Sequence, residues 1–152
     1  MDGSKEDLVI MEKKKPREGN VMAFATGKRK RAVAKAVIKK GKGSVKVNSF
    51  SLENYPNMFV RMKVKEALVI AGDKTKDLSI KVSARGGGIM GQADAMRQAI
   101  AKGLVDVFGE ELRKKYLVYD RNLLVYDVRR TEPHKPPRSS QGPRRYKQRS
   151  KR

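Results

Sequence analysis

The chain has no cysteine and no tryptophan, one histidine, and only 16 acidic residues among 152. Without cysteine there are no disulfides and no thiolate metal sites, and one histidine with few carboxylates near it cannot assemble a zinc site. No run approaches the roughly 18 apolar residues of a membrane span. The opening MDGSKEDLVIMEKKK lacks the apolar stretch and cleavage site of a secretory signal. We therefore expect an intracellular, soluble, cytoplasmic protein with no membrane partner, no metal and no cofactor. No nucleophile stands beside a base and no carboxylate pair lies in a pocket-like setting. The expectation is a non-enzyme without a small-molecule substrate.

What the chain has in excess is positive charge: 37 Lys and Arg, a formal net charge of +21 and a pI near 10.4. A small folded body at that charge repels itself, so the excess implies a polyanionic partner, with nucleic acid the first candidate. The 38% hydrophobic content suffices for one small core. The two ends are too polar to join it. We expect a disordered extension over residues 1–20, a globular domain over 21–128 and an extended basic tail over 129–152.

Residues 85–108, RGGGIMGQADAMRQAIAKGLVDVF, organise the rest. They follow LSIKVSA (78–84), whose alternation marks a half-buried strand, so the glycines fall where strand becomes helix. In the helix, Met96, Ala99, Ile100, Gly103, Leu104, Val107 and Phe108 recur at helical spacing as a core face. Asp94, Arg97, Gln98 and Lys102 are expected opposite, facing outward. Adjacent glycines at a helix N-terminus let backbone approach an anion, although such clusters more often serve close packing. Gly86, Gly88 and Gly91 also satisfy GxGxxG, an alternative that would suggest a dinucleotide. That reading requires a second parallel strand ending in an acid about 20 residues on, where this chain instead starts the helix-like EELRKKYL.

Earlier, VMAFATGKRKRAVAKAVIKKGKGSVKVN alternates as two or three antiparallel strands, with Gly41 and Gly43 expected to form a hairpin turn. Nine basic residues and no acid lie from Thr26 to Lys46. Edge lysines that block aggregation are the ordinary meaning of such a strand, but an acid-free run of this length favours a phosphate-binding surface. Ser51 is a candidate cap for a short turn, and MFVRMKVKEALVIAG reads as a helix stopped by Gly72. Its Arg61, Lys63 and Lys65 read as a solvated face. In YLVYDRNLLVYD, Tyr116, Leu117, Val118, Leu123, Leu124, Val125 and Tyr126 are apolar enough to lie on the domain, around a DRN turn. From 129 to 152 there are four prolines, ten Lys or Arg and a single acid, which cannot build a core. From Pro133 such an arm reaches on the order of 60 Å. At its tip the cations suit phosphates and Tyr146 suits stacking on a base or sugar. His134 is idle or a minor RNA contact.

TGKRKRAVAKA, GKGSVKVNSFSLENY, GGGIMGQADAMRQAIAKGL, DVRRTEPHK and the terminal SKR, in that order, resemble the successive blocks of the small-subunit ribosomal protein S-nine family. The likeness runs over residues 25–152, and Gly86 to Leu104 is its most diagnostic part. It implies a single α+β domain resembling the second domain of ribosomal protein S-five, with an about four-stranded sheet packed with helices. The partners implied are small-subunit rRNA, P-site tRNA and neighbouring proteins of the subunit head. Carried onto this chain, the rRNA-binding residues would be Lys28, Arg29, Lys30, Arg31, Lys42, Arg85, Gly86, Gly87, Gly88, Gln92, Arg97, Arg129, Arg130, Lys135 and Arg138. The tRNA-binding residues would be Arg144, Arg145, Tyr146, Lys147, Arg149, Lys151 and Arg152. The tail has more proline than the bacterial type, and YLVYDRNLLVYD is longer than the family's usual link, so the chain leans toward the archaeal form. A general nucleic-acid-coating protein remains the main alternative.

Overall fold

Alternation in the first third of the domain becomes sheet. In the computed structural model, which describes residues 21–133, Val21–Arg29 (β1) and Ala32–Lys40 (β2) form an antiparallel hairpin turning at Lys30 and Arg31. Every second residue is buried: Ala23, Ala25 and Gly27 on β1, and Ala32, Ala34, Ala36 and Ile38 on β2. Leu78–Arg85 (β5) pairs antiparallel with β2 and buries Leu78, Ile80, Val82 and Ala84. Two short strands, Val45–Val47 (β3) and Phe50–Ser51 (β4), complete a five-stranded mixed sheet in the order β1-β2-β5-β3-β4.

That order corrects the expectation of about four strands and of a hairpin at Gly41 and Gly43. β3 does not return along β2; it lies parallel to the far side of β5. β5 matches β2 over eight residue pairs, from Val33↔Arg85 to Lys40↔Leu78, whereas β3 has only three residues to offer. The longer ladder takes the β2 edge. KKGKG therefore passes over the start of β5, where the Gly41 N–H donates to Asp77 O at 2.8 Å. A Cβ on Gly41 would lie 2.6 Å from Ser79 Cβ.

The helices all cover one face. Met58–Ala71 (α1) is capped by Asn57, whose side chain accepts from the N–H groups of Phe59 and Val60, and it ends at Gly72 in a left-handed conformation. Ser51, the candidate cap for a short turn, lies in β4, and its carbonyl accepts the Asn54 N–H at 3.2 Å in the turn that follows. Val60, Val64, Ala67 and Ala71 form the buried stripe of α1. Ile89–Phe108 (α2) is a helix of 20 residues, about 30 Å long, lying between the sheet and α1. Because both sides are covered, its buried set is wider than one stripe and includes Ala93, Ala95, Ala101 and Gln98. Gln98, expected outward, is 3% exposed; its Oε1 accepts the Lys28 N–H at 2.9 Å, which satisfies the carbonyl oxygen of the buried side chain. Small residues at Ala95 and Ala99 let β1 sit directly on the helix. A Cβ on Gly27 would fall 2.1 Å from Ala95 O and 2.7 Å from Ala99 N.

Gly109 turns the chain into Glu110–Tyr119 (α3), which buries Leu112 and Tyr116. The Tyr116 hydroxyl donates to Ala67 O at 2.6 Å, tying α3 to α1, and burial pushes its phenol well above its ordinary pKa. DRN does form a turn, a short 3-10 segment Arg121–Leu123. Of the apolar residues around it, Leu123 is fully buried and Leu124 and Tyr126 partly so; Leu117, Val118 and Val125 are exposed. No helix among the described residues is long and apolar enough to cross a membrane.

Candidate nucleic-acid interface

The sheet brings two separated pieces of sequence to one end. Lys30 and Arg31 form the exposed β1–β2 turn, and the glycine turn leaves β5 beside it. Gly86 and Gly87 have φ of 75° and 64°, the left-handed region that favours glycine. They also touch the hairpin backbone: a Cβ on Gly86 would lie 2.8 Å from Arg31 O, and one on Gly87 2.9 Å from Ala32 N. These two glycines thus serve packing. Gly88 has nothing near its Cβ position and opens α2 without a side-chain cap, which leaves the first-turn N–H groups of the helix without a capping side-chain acceptor. Gln92 folds back, donating from Nε2 to Gly86 O at 3.1 Å, and steadies the turn it follows. Lys28 and Arg85, opposite Val33 from either side, add exposed cations to the same end.

Other expected contact residues are placed elsewhere. Lys42 lies past the opposite end of β2, roughly 27 Å along the strand from the basic turn. Arg97 does not face outward. Its side chain is 13% exposed and donates to Glu66 at 2.7 Å and to Asp120 at 2.6 Å, joining α1, α2 and the segment after α3. These carboxylates raise its pKa against the opposing effect of desolvation. Arg29 is likewise turned inward, 3.1 Å from Asp127, within reach of Asp94, and donating to Arg129 O at 3.1 Å. Lys63 completes this network on Asp94, and Arg61 donates to Glu53 O, so neither is the freely solvated lysine or arginine expected.

The Arg29 network fixes the point at which the C-terminal segment departs. Asp127 accepts from the N–H and side chain of Arg129, whose hydrogen bonds hold its carboxyl down to about 2. Arg130 donates to the Tyr126 hydroxyl at 2.9 Å. The long YLVYDRNLLVYD link therefore has structural work: Asp120 grips Arg97, Leu123 fills the core, and Asp127 is clasped by Arg29. Lys135, Arg138, Arg144, Arg145, Tyr146, Lys147, Arg149, Lys151 and Arg152, with His134 and residues 1–20, lie outside the described residues.

The sheet face away from the helices is uncovered, and none of the five strands contains an acidic residue. Lys35, Lys39, Lys46 and Lys81 stand exposed there; the first three belong to the acid-free run from Thr26 to Lys46, but none of the four is among the individually named contact residues. Period-two alternation was the signal that groups them with Lys28 and Arg85; which face the helices would leave bare was not contained in it.

The GxGxxG alternative loses its setting. β5 has a parallel neighbour only in the three-residue β3, and α2 is followed by α3 rather than by a strand ending in an acid. No group of three or more His, Cys, Asp or Glu able to hold a metal occurs among the described residues. Fold and surface define the class: a small basic α+β domain that offers backbone turns and cations at its surface. Within that class the assignment is specific, because the family model for ribosomal protein S9/S16 matches residues 27–152 and the chain belongs to this family. Small ribosomal subunit protein uS9 of Methanococcus maripaludis is 45% identical over 130 residues, covering 85% of this chain and 97% of its own. The uS9 protein of Thermoplasma acidophilum is 52% identical over 113 residues, covering 74% and 88%. That of Aeropyrum pernix is 46% identical over 131 residues, covering 75% and 87%. These relatives bear out the archaeal lean.

Proposed function

We propose that this chain is a structural constituent of the small ribosomal subunit, without catalytic chemistry, that binds rRNA in the subunit head and extends its C-terminal arm to P-site tRNA. The observation that carries the rRNA part is the meeting of Lys28, Lys30, Arg31 and Arg85 with the uncapped start of α2 at one end of the sheet. Cations and the uncapped N–H groups of a helix start there offer phosphate both charge and directed hydrogen bonds. The arm carries the tRNA part through its six basic residues and one tyrosine in 144–152. Arg29 and Arg97 are assigned to holding the domain and the arm's origin rather than to rRNA. Arg129 and Arg130, exposed at the start of the arm, continue the RNA contact.

Sedimentation through a high-salt gradient tests the assembly: the chain should stay with small subunits, and release at moderate salt would favour nonspecific coating. Deleting 149–152 should leave the domain folded and assembled while weakening P-site tRNA retention in a salt-sensitive way. Replacing Arg144 and Arg145 with Glu should reduce tRNA binding more than replacing Lys63, and equal effects would remove any special role for the arm.

A further inference from the structure

The uncovered face of the sheet has a pattern of its own. Pairing register places its side chains in rows: Lys28, Val33 and Arg85 in one, Thr26, Lys35 and Ser83 in the next, then Phe24, Val37, Lys81 and Lys46. With strands about 4.8 Å apart and same-face residues about 6.8 Å apart, cations follow one another diagonally at steps of about 8 Å from Arg85 through Lys35 to Lys81. Beside this track lies apolar surface that a solvated face does not need. Phe24 is 57% exposed and Val33 38%. A depression of about 570 Å³ opens beside Phe24, and Lys35, Val37, Lys81, Ser83 and Arg85 are among the residues that line it. No strand residue brings negative charge to it.

We propose that this face is a second RNA-binding surface, which starts at Arg85 where the hairpin and glycine-turn end stops, and that it takes an unpaired RNA segment. The Arg85, Lys35 and Lys81 track carries its phosphates, and a base or ribose lies on Phe24 and Val37. Charge selects the partner: an acid-free row of cations favours a polyanion over a protein surface of mixed sign. The aromatic selects the state of the RNA. A duplex presents phosphates and hydroxyls with its bases stacked away, whereas an unpaired base has a free face for a ring at a sheet surface. The inference rests on the proposed ribosomal placement and adds a site to it.

The test is lysine acylation of assembled small subunits, followed by peptide mapping. Lys35 and Lys81 should be protected at least about tenfold relative to Lys65 and Lys115 on the helical side, and nuclease digestion of the particle should restore their reactivity. Free reactivity of Lys35 and Lys81 in particles that contain the chain overturns the second surface and leaves the ribosomal placement standing. Protection that survives nuclease points to a protein cover and also overturns it. A chain absent from the particles overturns both. Particles reconstituted with Phe24→Ala should expose an unpaired base to dimethyl sulfate that the parent protein shields; an unchanged reactivity map overturns the assignment of an unpaired segment.

Discussion

Gly27→Ala is expected to be the costliest single-methyl change in the sheet. The added carbon would stand 2.1 Å from Ala95 O and 2.7 Å from Ala99 N, both backbone atoms of α2. Neither can rotate away, so β1 and α2 must separate by more than about 1 Å, against a core that closes on both sides of the helix. Overpacking of this kind costs about 1–3 kcal/mol, and immovable neighbours place the change at the upper end. A smaller unfolded-state entropy returns roughly 0.4–1 kcal/mol. The net expectation is a destabilisation of about 2 kcal/mol, or a fall in midpoint of about 10 °C for a domain of this size. Gly103→Ala is the control. Its Cβ would meet Ile38 Cδ1 at 2.8 Å, the free end of a side chain that can turn aside. Helix propensity repays about 1 kcal/mol there, so the change should be close to neutral. Thermal unfolding of the full chain, followed by far-UV circular dichroism in one buffer of fixed salt, compares the two. A Gly27→Ala midpoint within about 2 °C of the parent, or equal losses for the two variants, would refute the claim that strand and helix backbones touch at Gly27.

Two further outcomes follow from buried and clasped groups. Tyr116→Phe removes the hydrogen bond to Ala67 O and should cost about 1 kcal/mol, while Tyr116→Ala empties a fully buried site and should cost about 3–5 kcal/mol; urea midpoints that fail to separate the variants would show that Tyr116 packs loosely. Asp127 titrates at about 2 when folded, below its ordinary 3.8, so the clasp it makes is fully present above about 3.8 and is lost as pH falls toward 2. Carboxyl NMR should find its midpoint near 2, and Arg129→Ala should move that midpoint upward.

Much of the architecture is set by local sequence. The strand 78–84, the helix after the glycines, the stop at Gly72 and the packing role of Gly103 all follow from periodicity and capping, because each is decided by neighbours a few residues away. The candidate site was legible only in part. Lys30, Arg31, Arg85 and the glycine turn do gather at one end, yet Arg29 and Arg97 look identical to them in a string of letters and point inward. What separates them is the position of Asp94, Asp120 and Asp127, up to 98 residues away from Arg29 in the chain. A guanidinium goes to whichever carboxylate the fold presents at hydrogen-bonding distance.

The amino-acid order alone determined the charge, the period of each element, the coreless composition of the C-terminal arm and, through its ordered blocks, the family. Tertiary structure alone decided that β5 would separate β2 from β3, that Gln98 would be buried, and that one sheet face would be left bare with its lysines. The reason is range. Propensity and alternation act over one or two turns of chain, but strand order and the covered face depend on which long edges find each other and on which side the crossover helices settle.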